Sequence, residues 1–300
     1  MNPRNFWQKY KLAILTLTIA LSVTTFGTLA LAAGVSYFQG FETDASGWTG
    51  ATRVASTTNA IISASGSWHA EVANGAFTRW GGYGGIPGCS IGCAAPFPQN
   101  GYVTSIDIYL EAESITRGND TRFDFSSAVN DPAGNHRRDF VFNAGFYNDA
   151  VAPGTGPRFV ISASNNAGRD SSFPRNPGRD PFTIIDDGWY TFQHKFLDNG
   201  LGVLTVELTI KDAAGVTLHT WNLSDPTDVI NTTVGSNRYG FFAQQELTPL
   251  AIDNSSRVDI LSQPADKEQC KKDGWKLVVN GAGAPFRNQG QCVKFVTTGN

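Results

Sequence analysis

The chain has 300 residues and a formal net charge of −3 at neutral pH, and 16% of its residues are charged, against roughly 25% in an ordinary soluble domain. It holds 32 Gly, 20 Phe and 7 Trp but only 1 Met and 4 Cys, which argues against a coiled coil, a disordered acidic tail and a basic nucleic-acid binder. Only one stretch is long and apolar enough to span a bilayer, so a polytopic membrane protein is excluded too.

That stretch opens the chain. Residues 1–11 carry Arg4, Lys9 and Lys11 with no acid, and an uncharged run follows from Leu12 to Ala33, ending in Ala30-Leu31-Ala32-Ala33. A basic start, an apolar run and small residues at an A-x-A site make residues 1–33 a secretory signal peptide, cut after Ala32 or Ala33; the competing reading is an uncleaved anchor. Without it, a body of residues 34–263 has 14 Lys+Arg against 23 Asp+Glu, and a tail of residues 264–300 has six against three. The acidic body repels phosphate backbones, so no nucleic-acid partner is expected, whereas the basic tail offers a contact for anionic cell surface or for the body itself. Eight Arg lie between Arg117 and Arg179, but six Asp share that window and balance them.

The body reads as strands almost throughout. Strands are expected at 36–41, 60–64, 69–72, 102–111, 121–129, 138–147, 158–164, 188–196, 203–211, 216–221, 238–245 and 256–261. The alternation is cleanest at 203–211, where Leu204, Val206, Leu208 and Ile210 share a face, and at 102–111, where Thr104, Ile106, Ile108 and Leu110 do. A turn at Asp212-Ala213-Ala214-Gly215 makes a hairpin of 203–221. Many short strands divided by Gly, Pro, Asn and Asp clusters predict an all-β, two-sheet sandwich, and about 230 residues suits the larger sheets of a jelly roll. Residues 264–267 read as a linker into a small C-terminal unit.

The cysteines fall into two local pairs. Cys89 and Cys93 stand in a Gly/Pro loop; fully extended, their Cα atoms would be about 13 Å apart, so the chain must turn there, at Gly88 and Gly92, for a disulfide to form. Cys270 and Cys292 would close a loop of about 20 residues, a staple that so small a unit needs. Export makes disulfides the expected state of both pairs.

Candidate catalytic groups are sparse. The acids of Asp107-Ile108-Tyr109-Leu110-Glu111-Ala112-Glu113 share one face, but the opposite face suits the core, so they are expected to point to solvent rather than form a catalytic dyad. His69, His136, His194 and His219 form no H-x-x-x-H or HExxH spacing, and no G-x-S-x-G elbow or phosphate loop occurs, so neither metal nor cofactor is expected. The polar faces of the middle strands are the better candidate site. With the Phe residues turned to the core, three successive strands leave Arg122 and Asp124, then Asp139, Asn143 and Tyr147, then Arg158 on one surface. Planar donors, carboxylates and aromatic faces suit sugar hydroxyls and C–H faces; the competing reading is a solvated sheet with cross-strand Arg–Asp pairs. Beyond them, Asn166-Ala167-Gly168-Arg169-Asp170 recurs as Asn176-Pro177-Gly178-Arg179-Asp180. Two similar turns explain the repeat, and they would bring Arg169 or Arg179 over the polar face.

Three segments carry a family resemblance. Tyr37-Phe38-Gln39-Gly40-Phe41-Glu42-Thr43-Asp44 with Ser46-Gly47-Trp48 resembles the opening of secreted bacterial carbohydrate-binding sandwiches, and Gly188-Trp189-Tyr190-Thr191-Phe192 with the 203–221 hairpin resembles the back sheet of concanavalin A-like lectin and glucanase folds. Cys270-Lys271, Gly274-Trp275 and Phe286-Arg287-Asn288-Gln289-Gly290-Gln291-Cys292 are similar to a short Cys-paired module at the ends of secreted bacterial proteins. The resemblance implies a concanavalin A-like jelly roll that binds an extracellular polysaccharide. Glycanases of that fold carry a Glu-x-Asp-x-x-Glu pattern that this chain lacks. Phe142-Asn143-Ala144-Gly145-Phe146-Tyr147-Asn148-Asp149 resembles a strand of alginate lyases, with Asn143 and Asp149 where those offer Lys and Gln. Non-catalytic carbohydrate recognition by a secreted protein is therefore the expected function. The alternatives are a polysaccharide hydrolase or lyase of the same fold, or a structural surface protein.

Overall fold

Period-two alternation governs the body. A computed structural model of the protein describes residues 36–75, 78–80, 97–98, 100–130, 135–165, 174–230, 239–271, 274–281, 284 and 286–299; the expected signal peptide, Cys89, Cys93 and Arg169 lie outside the described residues. The strands are β1 (Ser36–Gln39), β2 (Trp48–Thr49), β3 (Ala51–Ala55), β4 (Trp68–Val72), β5 (Thr78–Trp80), β6 (Tyr102–Leu110), β7 (Thr121–Asn130), β8 (His136–Asp149), β9 (Gly156–Asn165), β10 (Phe182–Ile184), β11 (Gly188–Asp198), β12 (Val203–Lys211), β13 (Thr217–Val229), β14 (Gly240–Gln245) and β15 (Leu250–Asp259).

They pair into two antiparallel sheets. The first runs β13-β12-β11-β6-β15-β4-β3, with β1 also on β15, and the second runs β10-β9-β8-β7-β14-β5-β2. The chain builds β7 to β10 in the second sheet, crosses to the first for β11 to β13, then returns for β14 and crosses again for β15. This is the expected all-β jelly-roll sandwich.

Aromatic rings fill the space between the sheets. Phe142 meets Phe192 edge-to-face at 5.1 Å, Phe140 meets Phe196 at 5.6 Å, and Tyr102 stacks flat on Phe196 at 4.4 Å. In β6, Ile106, Ile108 and Leu110 are buried while Asp107 and Tyr109 look outward, as the alternation required. His194 belongs to this core: fully buried on β11, it bonds the Phe140 carbonyl of the opposite sheet at 3.0 Å, and burial pulls its pKa down to about 3, so it stays neutral.

Two expectations need correction. No strand forms at 60–64: positive φ at Thr57, Asn59 and Ala60 winds a 3₁₀ turn, Thr58–Ala60, and Ser63 N donates to Ser56 Oγ instead of to a neighbouring strand. β13 continues past residue 221 to Val229, through Pro226, because it edges the first sheet and needs no N–H there.

The tail from residue 264 holds its own small core. Cys270 and Cys292 are disulfide-bonded as expected, 22 residues apart, and pack with Val278 and Phe286. One helix, α1 (Gln289–Thr298), presents Cys292 to this core; the Asn288 side chain caps it by accepting from Gln291 N, and Gly299 ends it at φ 73°. No helix among the described residues is long and apolar enough to cross a membrane.

Candidate carbohydrate-binding groove

Register decides which predicted site residues meet. Asp124 of β7 stands opposite Asn143 of β8, which stands opposite Ser162 of β9. One level on, Arg122 faces Gly145, and beyond that Tyr147 faces Arg158. Since Phe123, Phe125, Phe142, Phe146 and Phe159 turn inward, these side chains share the outward face of the second sheet. Asp139, opposite Ala128, lies on the same strand but towards its other end, bonded to His136 Nε2 at 2.7 Å.

This face is not a solvated sheet. Asp124 is 9% exposed, Asn143 2% and Arg158 0%. Asn143 Nδ2 donates to Asp124 Oδ1 at 2.8 Å, and Ser164 Oγ donates to Asn143 Oδ1 at 2.6 Å. The relay fixes the amide of Asn143 and leaves the Ser164 oxygen with lone pairs for a further donor. Ser162 Oγ, also buried, has no hydrogen-bond partner among the described residues.

Two predicted ligand contacts turn out to be occupied by the protein itself. Arg158 directs all five donors at the 149–156 loop: Nε to Pro153 O, Nη1 to the carbonyls of Asp149 and Gly156, Nη2 to Asp149 Oδ1 and Val151 O, at 2.5–3.0 Å. It closes a loop and has nothing left for a sugar. Tyr147 lies flat over Gly145, where an added Cβ would come within 2.8 Å of the ring, and the Arg175 guanidinium covers its other side at 3.3 Å. Burial pushes the Tyr147 phenol above its ordinary pKa, and the Asp120 carboxylate beside the hydroxyl adds to the shift. Arg122 is held bidentate by that same Asp120, at 2.5 and 3.0 Å.

Arg179 shares a groove with Ser164 of the relay, from another element. It ends a 3₁₀ turn, Pro177–Arg179, in which Asn176 Oδ1 accepts from Gly178 N at 2.9 Å, so the second copy of the Asn-x-Gly-Arg-Asp repeat is the turn its residues predict. Asp180 follows at φ 50°, and β13 grips it twice: Trp221 Nε1 donates to its carbonyl at 2.8 Å, and His219 Nε2 lies 3.0 Å from its Oδ2. The His219 ring in turn stacks on Phe182 of β10. Turn, β9 and β13 thereby enclose an open groove of about 470 Å³ lined by Ser164, Asn165, Arg179, Asp180, Thr220 and Asn222, with Trp221 between the last two and Leu223 just beyond them. Sequence reasoning missed Thr220 and Asn222. The signal was present, since both flank the buried Trp221 in an alternating strand, but nothing local says that β13 lies beside β9.

Among the described residues, no group of three or more His, Cys, Asp or Glu is placed to hold a metal ion. In the first sheet, Asp253 lies opposite Asp107 and is fully buried; burial, with the Asp107 and Glu42 carboxylates, raises its pKa to about 7 against the pull of the Ser65 and Asn254 backbone N–H groups.

No protein-family model matches the chain, and no curated protein does. Solved structures align with it at low similarity. The chain aligns with a marine PL-14 alginate lyase from Aplysia kurodai at 10% identity and a TM-score of 0.33, over 75% of this chain and 90% of that one. Winged bean acidic lectin in complex with methyl-alpha-D-galactose aligns at 12% and 0.32, over 74% and 96%. The CBM2 module of Lactobacillus casei BL23 phage J-1 evolved Dit aligns at 11% and 0.33, over 76% and 98%. At these scores the chemistry of the groove has to be read from its own residues.

Proposed function

We propose that this is a secreted, non-catalytic carbohydrate-recognition protein that takes extracellular polysaccharide in the groove between β9, β13 and the 176–180 turn. The observation that carries the reading is the Asp124–Asn143–Ser164 relay opening into a groove of about 470 Å³. That volume suits a bound ligand of a few sugar rings at most. A sugar hydroxyl both donates and accepts; the groove offers a fixed serine oxygen, asparagine amides, a carboxylate and a guanidinium within one span. Secretion is supported by the basic, apolar opening of the sequence and by the disulfide of the tail.

Neither Tyr147 nor Asp253 is placed for catalysis. Tyr147, on the strand that resembles an alginate lyase, is held protonated and covered by Arg175, so it is a poor base. Asp253 keeps its proton to about pH 7 as a general acid would, but it is shut away from solvent and from any substrate.

A polysaccharide pull-down followed by a glycan array tests the proposal. Retention on at least one polymer is expected, with Arg179→Ala and Asn222→Ala each weakening it by about tenfold, the worth of one good polar contact. Release of reducing sugar, or the absorbance of an unsaturated uronate, would overturn the non-catalytic claim. Failure to bind across neutral and anionic polymers would leave the structural-protein reading.

A further inference from the structure

A second groove, of about 420 Å³, lies on the outward face of the first sheet, away from the relay and the 176–180 turn. Trp189 of β11 and Tyr109 of β6 form its walls, both half-buried. The indole is fixed: Trp189 Nε1 donates to Ile62 O at 2.7 Å, and the ring packs edge-on against Tyr109 at 5.5 Å and His69 at 6.0 Å. Asp107, two residues before Tyr109 on β6 and opposite Thr191, is equally fixed, accepting from Thr191 Oγ1 at 2.6 Å and Asn254 Nδ2 at 2.8 Å.

The charge of this groove is uncompensated. Both side-chain donors to Asp107 are neutral. Asp187 accepts from Glu113 N, and Asp212 from the N–H groups of Ala214 and Val216, so the rim carboxylates also meet backbone only. No Lys or Arg lines the groove. Arg117, in the adjoining depression, is bonded to Glu111 at 2.5 Å, and Lys211 is Thr191's neighbour across the β11–β12 pair but not part of the lining. The surrounding phenols register the same field: burial raises the pKa of Tyr109, and Asp187, Glu111 and Glu113 raise it further; burial, then Asp186, Asp187 and Asp212, take Tyr190 to about 12.

We infer that this groove is a second, independent binding site whose ligand is an amino sugar carrying a free, protonated amine, as in a deacetylated polysaccharide. Rigid aromatic faces beside a fixed carboxylate suit an organic ammonium, which gains from both, better than a small hydrated metal ion, which would need several converging oxygen ligands. A glucosamine ring supplies the ammonium for Asp107 or the rim, an apolar C–H face for Trp189, and hydroxyls for Ser63 and Thr191. A neutral or acetylated sugar would leave the carboxylates unpaired, and an acidic one would be repelled.

The test is calorimetric titration of the full chain with a glucosamine oligosaccharide and with its N-acetylated counterpart of equal length, at about pH 6, where such an amine is protonated. The free-amine oligomer should bind at least about tenfold more tightly, and Trp189→Ala and Asp107→Asn should each remove about tenfold of that affinity. Asp212→Asn, on the rim and outside the core, should cost several-fold even where Trp189→Ala fails to fold. Arg179→Ala should leave this binding unchanged, which separates the site from the groove proposed above. Equal binding of the acetylated oligomer, insensitivity to both Asp107→Asn and Asp212→Asn, or full competition by a lysine oligopeptide of the same charge would each overturn the assignment.

Discussion

Trp221 donates its indole N–H to the backbone carbonyl of Asp180 at 2.8 Å, and this bond ties the edge strand of one sheet to the turn that leads into the edge strand of the other. Burial of Trp221 would follow from its apolar ring alone, at 6% exposure. The N–H adds direction, because a left-handed Asp180 leaves its carbonyl outside any strand ladder. The turn that lines the proposed polysaccharide groove is therefore held to β13 by this donor together with the His219 contact to the Asp180 carboxylate.

Trp221→Phe should keep the apolar contact and lose that donor. A loss of about 1 kcal/mol in unfolding free energy is expected, with a several-fold loss of polysaccharide affinity as Arg179 becomes less constrained. Urea unfolding alongside the pull-down measures both. Unchanged affinity in a destabilised variant would show that the turn does not shape the groove.

Gly145 sets the height of Tyr147. Its φ is ordinary for a strand, so glycine is required here only by the ring lying over it, 2.8 Å from where a Cβ would stand. Gly145→Ala should push Tyr147 and the covering Arg175 outward, at a cost of about 1–3 kcal/mol. A melting temperature equal to the wild type's would mean that the ring swings aside freely.

The sandwich was legible in the sequence because its signal is local and repeated. The alternation at 102–110 and 203–211 names the buried faces of β6 and β12 without knowledge of their partners. Short strands such as Trp48–Thr49, Thr78–Trp80 and Phe182–Ile184 escape, since two or three residues cannot show a period. The polar face of β7 to β9 was legible for the same reason as the sandwich. What its residues do there was not: Arg158 and Tyr147 look like ligand contacts until the 149–156 loop folds back on Arg158 and Arg175, from farther along the chain, covers the Tyr147 ring. The two grooves needed strand order as well, because β9 meets β13, and β6 meets β11, only through topology.

Arg158 should be irreplaceable for stability rather than for binding. Lysine can supply at most three donors from one point, against five spread over a planar fork, so carbonyls among Asp149, Val151, Pro153 and Gly156 would lose their partner. Arg158→Lys is expected to cost about 3–5 kcal/mol. Burial acts to raise the Asp149 pKa, but hydrogen bonds from Arg175 and Arg158 outweigh it and hold the carboxyl well below its usual range. A carboxyl depressed on folding stabilises above its unfolded pKa of about 4 and loses that contribution as pH falls further. The acid-unfolding midpoint of Arg158→Lys should accordingly lie at higher pH than that of the wild type. Coincident acid transitions would contradict this.

Asp253 reverses that sign. Its pKa is raised to about 7, so between about pH 4 and pH 7 the folded protein holds a proton that the unfolded chain has released. Where the folded state binds more protons, stability falls as pH rises; the fall spans that window and levels off above it, amounting to a few kcal/mol at most. Asp253→Asn removes the titration while adding a fixed penalty, because an amide offers one acceptor oxygen where Ser65 N and Asn254 N each have a carboxylate oxygen now. That penalty is independent of pH, so the prediction concerns the difference between the two proteins. Urea unfolding at pH 5 and pH 8 should show the variant gaining on the wild type by a few kcal/mol at the higher pH. A difference that stays constant across the window would place the Asp253 pKa in the ordinary carboxylate range.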